Sequence, residues 1–306
     1  MAMNKDFHHL ITEASKVVLD KDAEIRLAVT CLLAGGHLLI EDLPGVGKTT
    51  LVQVLGKLTG LKTKRIQFTI DLLPADVLGG QVFHPQEQKF VFHPGPLFSQ
   101  LVMADELNRA SPRTQSALLQ AMEEGEVSLD GNTWTLPRPF YVIATQNPHQ
   151  QTGTFPLPES QLDRFLMSLE LHHASKETEV RIFQGEDPRA LMQKLEALFT
   201  EEKMAKALYG VEQVKVSAAV AKYIGNLLEK SRQSDFEGNP LSTRAGMALS
   251  KAAKAWAFLE GRDYLRPEDV QAVLVPVFGH RLGGNHGIKK GREWAVALQQ
   301  STVIPT

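Results

Sequence analysis

Two glycines running straight into a lysine and a threonine can hold a triphosphate. The segment Pro44-Gly45-Val46-Gly47-Lys48-Thr49 supplies backbone N–H groups that can approach phosphate oxygens closely, because glycine puts no side chain in the way. Lys48 has the reach for the β and γ phosphates, and the Thr49 hydroxyl is a hard oxygen ligand suited to magnesium. Thr50 follows as one more position on the nucleotide side. The full pattern would carry glycine at position 42, where this chain has Asp42, so the turn rests on Pro44 and Gly45.

Two further segments deliver polar groups from the ends of apolar runs. Leu101-Val-Met-Ala ends in Asp105-Glu106, a pair in which Asp105 can hold magnesium through its water shell and Glu106 can orient and polarise an attacking water. A strand ending in two acids is ordinarily just a solvated loop start; downstream of a phosphate loop it acquires a chemical reading. Tyr141-Val-Ile-Ala-Thr-Gln ends in Asn147, an amide able to bond the γ phosphate or the water.

These groups must be positioned by regular elements, and the spacing predicts them. Residues 22–34 have helical periodicity that stops at Gly35-Gly36, and 37–41 reads as a short buried strand leading into the loop. Residues 50–59 read as an amphipathic helix and 64–69 as a strand. The runs 101–104 and 140–144 have the content of central strands, separated by a helical pattern over 111–124. Strand, loop, helix, strand is the alternation of an α/β domain with a parallel sheet, whose ligands bind at the carboxyl ends of its strands. Beyond about residue 175 the chain turns to charged, alanine-rich helices. The expected organisation is an α/β domain over 1–175, linker helices over 176–211 and an all-helical domain over 212–306. Two hairpins are also expected: one over 126–136 around Asp130-Gly131, the other pairing 80–84 with 89–93.

Taken in order, Gly-Val-Gly-Lys-Thr, Ala-Asp-Glu-Leu-Asn-Arg-Ala, Ala-Thr-Gln-Asn-Pro and Pro-Leu-Pro-Glu-Ser-Gln-Leu-Asp-Arg-Phe resemble the MoxR-type AAA+ ATPases over most of the chain. The resemblance implies an AAA+ αβα domain with a helical lid, ATP and Mg²⁺ as cofactors, and ATP in the cleft between domain and lid. It implies a homo-oligomer, a six-membered ring when ATP-bound, acting as a chaperone on partner proteins, including partners with a von Willebrand factor A domain. It assigns Asn147 as sensor 1, Arg164 as an arginine finger and Arg244 as the sensor 2 arginine of the lid. Inserted hairpins in such rings face the pore or the partner. Asp20 stands where the resemblance leads one to expect glycine, and Ser242-Thr243 precedes Arg244 where relatives often have Ser-Pro.

Composition narrows the alternatives. With 306 residues, 43% of them hydrophobic, the chain can bury a large core, and a formal net charge of −2 gives no pull toward nucleic acid or anionic lipid. One cysteine, Cys31 in an apolar stretch, excludes an intrachain disulfide and fits a reducing, cytoplasmic setting. No secretion signal or membrane span is legible in the chain. The adjacent histidine pairs His8-His9 and His172-His173 cannot share a face, so no metal site is expected there. Two rival functions remain. A nucleic-acid motor would show lysine or arginine in the pore hairpins, and residues 126–136 have neither. An ATP-holding scaffold with little turnover would not need the intact Asp105 and Glu106. Arg109 and Arg113 also could face a neighbour, without an assigned role.

Overall fold

A computed structural model of the chain describes residues 2–41, 45–86, 88–147, 153–185 and 187–304. Nine strands are present among them: β1 Leu38–Glu41, β2 Thr63–Gln67, β3 Gly79–His84, β4 Lys89–Pro94, β5 Leu101–Asp105, β6 Glu126–Leu129, β7 Asn132–Thr135, β8 Tyr141–Gln146 and β9 Met167–Leu169. The helices of the first part are α1 Ala2–Ser15, α2 Asp22–Leu33, α3 Lys48–Thr59, α4 Pro74–Leu78, α5 Pro112–Glu124 and α6 Glu159–Leu162. After β9 the chain is helical: α7 Lys176–Phe183, α8 Pro188–Lys194, α9 Glu201–Glu212, α10 Ala218–Ser231, α11 Thr243–Leu259, α12 Pro267–Gly283 and α13 Gly287–Ser301.

Five strands form one parallel sheet in the order β2-β5-β8-β1-β9. The central strands are apolar on both faces because both faces are covered. Leu38, Ile40, Met103 and Ile143 pack into one core with α1, α2, α3 and the later helices. Leu39, Val102, Ala104, Val142 and Ala144 pack into a second core with α4 and α5. The period-2 alternation along each strand thus assigns each apolar residue to one layer or the other. The expected hairpins are the ribbons β3–β4 and β6–β7, joined by Phe92 stacking on Trp134 with ring centroids 3.9 Å apart.

Helices α10 to α13 build the smaller unit. Gly279 and Gly291 let α12 and α13 touch backbone to backbone: a Cβ on Gly291 would collide with the carbonyl oxygen of Gly279. This unit is seated on the sheet domain, α12 against β9 and α11 against α2. Arg26 of α2 ion-pairs with Glu260 just after α11 and lies over the Trp256 ring at 4.7 Å.

One polar tie pins the amino end of the sheet. His37, just before β1, accepts the Val142 N–H at Nδ1 (3.0 Å) and engages the Met122 carbonyl of α5 at Nε2 (3.1 Å), so a neutral imidazole joins β1, β8 and the last turn of α5. The residue is half-buried overall, but its ring is enclosed, and that burial pushes its pKa down to about 4. His280 of α12, bonded to the Phe165 carbonyl, is shifted the same way by burial. Both histidines bind a proton more readily unfolded than folded. Stability is therefore complete above about pH 6.5 and is lost as pH falls toward 4, by about 1.4 kcal/mol per pH unit for His37. The thermal midpoint should drop over that window, and more shallowly in His37→Gln, whose amide keeps a donor and an acceptor but takes up no proton. Equal slopes in the two proteins would mean that His37 does not carry the effect.

Candidate functional site

The phosphate loop leaves β1 at its carboxyl end. Gly45 and Gly47 have φ of 91° and 95°, a left-handed backbone that a side chain would strain, and a Cβ at either would meet nothing within 4 Å. An open cradle of backbone with positive φ is what phosphate oxygens need. Gly47 caps α3, which begins two residues earlier than its periodicity suggests, so Lys48, Thr49 and Thr50 sit on the first turn, at the positive end of the helix dipole. Val46 is buried. Pro44 and Asp42 lie outside the described residues.

The two acids emerge on the next strand but one, at the same end of the sheet. Asp105 ends β5, buried, with Oδ1 accepting the Thr145 hydroxyl of β8 (2.6 Å) and Oδ2 accepting both Nε (3.1 Å) and a terminal nitrogen (2.5 Å) of Arg65 on β2. Glu106 adopts φ 57°, a conformation that costs a non-glycine residue on the order of 1 kcal/mol and aims its carboxylate away from the strand line. That carboxylate is surrounded by donors: Asn147 Nδ2 at 3.3 Å, Gln67 Nε2 at 3.1 Å and Arg109 Nε at 3.1 Å. The Glu106 N–H donates to the same Thr145 hydroxyl oxygen (2.8 Å), and the Asn108 side-chain amide holds the Asn147 backbone, its Nδ2 donating to the Asn147 carbonyl (3.0 Å) and its Oδ1 accepting the Asn147 N–H (3.3 Å). Lys48, Thr49, Asp105, Glu106 and Asn147 thus all belong to the carboxyl edge of the sheet. Among the described residues no group of three or more His, Cys, Asp or Glu could hold a metal. The oxygen donors here, Thr49 and Asp105, suit a magnesium ion that takes its remaining ligands from phosphate and water.

Arg164 and Arg244 are elsewhere. Arg164 Nε pairs with Glu123 Oε2 at 3.0 Å, and Arg244, in the first turn of α11, pairs with Glu123 Oε1 at 2.9 Å and approaches Asp163 Oδ2 at 3.7 Å. Together they line a cavity of about 650 Å³ with Gly36 and His37, which precede β1, and Leu166, which precedes β9. In a parallel sheet those residues mark the amino ends, so Arg244 lies on the opposite side of its own sheet from its own Lys48.

One residue of this edge carries no local signal. Arg281 of α12 is almost fully buried, and its five N–H bonds find five oxygens: Asp163 Oδ1 (2.6 Å) and the carbonyls of Asp163 (3.1 Å), Phe165 (2.8 Å), Leu166 (3.2 Å) and Val277. Burial lowers its pKa while Asp163 raises it. A guanidinium is suited to such a site because its fork of donors can be satisfied in one plane. Asp20 has φ 58°, the backbone glycine adopts most readily, and its carboxylate accepts the Ser175 N–H at 2.8 Å; that bond holds its pKa below the usual range. Aspartate tolerates this conformation, which accounts for its standing in place of glycine.

A parallel sheet in the order β2-β5-β8-β1-β9 with a phosphate loop, paired acids and a helical second unit defines a P-loop ATPase of the AAA+ class. Comparison with known proteins agrees. The profile of the ATPase family associated with various cellular activities matches residues 37–167, and that of the AAA lid domain matches 235–296. The chain is 42% identical to the YeaC protein of Bacillus subtilis over 92% of this chain and 89% of that one. It is 35% identical to Chaperone MoxR1 of Mycobacterium tuberculosis over 89% of this chain and 74% of that one. A crystal structure from Cytophaga hutchinsonii, described as a candidate ATPase, superposes with a TM-score of 0.89 at 32% identity, covering 100% of this chain and 96% of that one. This chain belongs to the MoxR-type AAA+ ATPases.

The placement of the two key residues separates binding from turnover. Lys48→Ala should raise the Kd for ATP tenfold or more, because it removes the contact expected of this lysine with ground-state phosphates. Glu106→Gln should leave Kd within a few-fold and reduce kcat by at least about a hundredfold if Glu106 has the expected role of acting on the water. Titration of a fluorescent ATP analogue beside steady-state hydrolysis distinguishes them; parental turnover in Glu106→Gln would remove the assigned role.

Proposed function

We propose that this protein is a Mg-ATP-dependent ATPase whose complete site forms between neighbouring subunits of a ring, and that it spends hydrolysis on remodelling or maturing a partner protein. The observation that carries this reading is the separation of the two halves of the chemistry. The cradle and acids lie at the carboxyl edge of the sheet, the arginine pair at the amino edge, about 13–17 Å apart over strands of four or five residues at ~3.3 Å each. Arg65 and Arg109 of the same chain are already engaged by Asp105 and Glu106, so Arg164 and Arg244 would reach phosphates from the amino edge of a second subunit.

In this scheme the Gly45–Gly47 backbone and Lys48 bind the phosphates, with Thr50 on the same helical turn. Thr49, and Asp105 through water, would hold a magnesium ion, which would neutralise phosphate charge. Glu106 orients the attacking water, helped by Asn147, whose amide already reaches the Glu106 carboxylate. Arg164 and Arg244 of the neighbour supply the positive charge that the transition state demands; Arg244 thus serves as a sensor for the next subunit's nucleotide rather than for its own. The client side is supported by the β3–β4 ribbon, where Val82, Phe83 and Phe90 stay half or more exposed. Apolar groups left in water as a patch mark contact surfaces. A relative named as a chaperone supports a protein client, one with a von Willebrand factor A domain being the expected kind. No described helix is long and apolar enough to cross a membrane, and the single buried cysteine suits the cytoplasm.

Nucleotide bound at such a shared site favours the assembled form by mass action. The Glu106→Gln protein should therefore shift to a ring mass in Mg-ATP and revert without it. Arg164→Ala should bind ATP and lose about a thousandfold or more of turnover. Mixed with Lys48→Ala under subunit exchange it should regain part of the activity, since an intact cradle then faces an intact arginine. No recovery in rings shown to contain both variants would place Arg164 in its own subunit's chemistry or in the fold alone.

A further inference from the structure

Glu123 occupies an unfavourable place for a carboxylate. It stands in the last turn of α5, beside Glu124, where the helix dipole is negative and no basic residue offsets it. Glu124 is bonded by Gln120 one turn back. Glu123 has instead two partners distant in sequence, Arg164 from the sheet domain and Arg244 from the lid, one on each oxygen. Two guanidiniums on one carboxylate repel each other unless that charge stays between them, and Asp163 adds the second compensating charge through Arg244 and Arg281. Glu123 is itself fixed at its root: His37 bonds the carbonyl of Met122, the preceding residue, and the Gly125 N–H closes on Ala121. The Asp163–Arg164 segment is fixed from the other side by Arg281.

We infer that Glu123 is a positioning residue for the shared active site: it gathers Arg164 and Arg244 from two domains into one cationic pair and presents that pair to the neighbouring subunit's phosphates. It contacts no phosphate itself. Its carboxylate sets the spacing and direction of the two guanidiniums, so that on meeting phosphate oxygens each arginine moves little. The inference rests on the shared-site reading of the function. Because misplacing a catalytic group by about 1 Å costs on the order of a hundredfold, loss of the clamp should lower turnover without touching nucleotide binding in the same subunit.

Glu123→Gln, which keeps shape and loses charge, should retain ATP affinity within about twofold, retain the parental thermal midpoint within a few degrees, and lose about 10- to 100-fold in kcat. Mixed rings then assign the defect. Glu123→Gln with Lys48→Ala should recover activity, because the Lys48→Ala subunit still offers an intact clamp and both arginines to the neighbour's intact cradle. Glu123→Gln with Arg164→Ala should not recover beyond the Glu123→Gln level, because both lack the same half of the site. Recovery of that second pair to the level of the first, failure of the first pair, or a turnover in Glu123→Gln at or above the parental rate would each overturn the inference. The mixture of Arg164→Ala with Lys48→Ala is the control: if it fails in co-assembled rings, the shared site itself is wrong, whereas its success beside failure of Glu123→Gln with Lys48→Ala indicts only Glu123.

Discussion

A parallel sheet has a direction, and everything that could act on a triphosphate in this protein is distributed by that direction. Strands β1, β5 and β8 all release their polar residues at the same edge, so the phosphate loop, Asp105, Glu106 and Asn147 meet without any long-range accident of packing. The same directionality leaves His37, Gly36 and Leu166 at the other edge, where Arg164 and Arg244 converge. No rotation of a side chain crosses the thickness of the sheet. The division of labour between edges is therefore a property of topology, and the proposal of a site shared between copies rests on it.

The arginine edge has to be rigid to be of use, and the structure meets that need with one buried cation. Placing a guanidinium almost wholly out of water costs several kcal/mol, offset here by Asp163 and by an acceptor for every N–H. Such a group contributes little net stability when intact but leaves an unpaired buried charge when Asp163 is removed. Its value lies in geometry: Arg281 ties lid helix α12 directly to the three carbonyls around Arg164. The acidic edge is arranged differently. Arg65, Gln67 and Arg109 contact Asp105 and Glu106 from the solvent side, where water could replace them, while the buried Asn147 reaches Glu106 from within.

The carboxyl edge was almost fully legible in the sequence, because its chemistry is local. Gly45, Gly47, Lys48 and Thr49 sit on one turn, and Asp105 and Asn147 each end an apolar run whose periodicity announces a strand. The hairpins were legible for the same reason, from Asp130-Gly131 and from alternating residues on either side of residues 85–88. The amino edge was not. Glu123, Asp163, Arg244 and Arg281 come from four elements, and nothing in their own neighbourhoods says that they meet. Arg244 was visible as a residue but not as a partner of Arg164, since its position depends on how the lid docks on β9 and α2. Nothing in the sequence singled out Arg281, and His37 read only as the first residue of the strand over 37–41, whereas the strand begins at Leu38. Asp20 shows the converse: a departure from the expected glycine that the backbone angle accommodates.

The central claim is that one chain carries only half of its active site. Hydrolysis per subunit measured across a dilution series, with particle masses recorded on the same samples in Mg-ATP, tests it most directly. The account predicts that specific activity follows the fraction of subunits in assemblies and falls by at least about a hundredfold where monomers predominate, because a monomer retains Lys48 and Glu106 but meets no neighbour's arginines. Monomers that hydrolyse ATP at the rate of the assembled protein would contradict it.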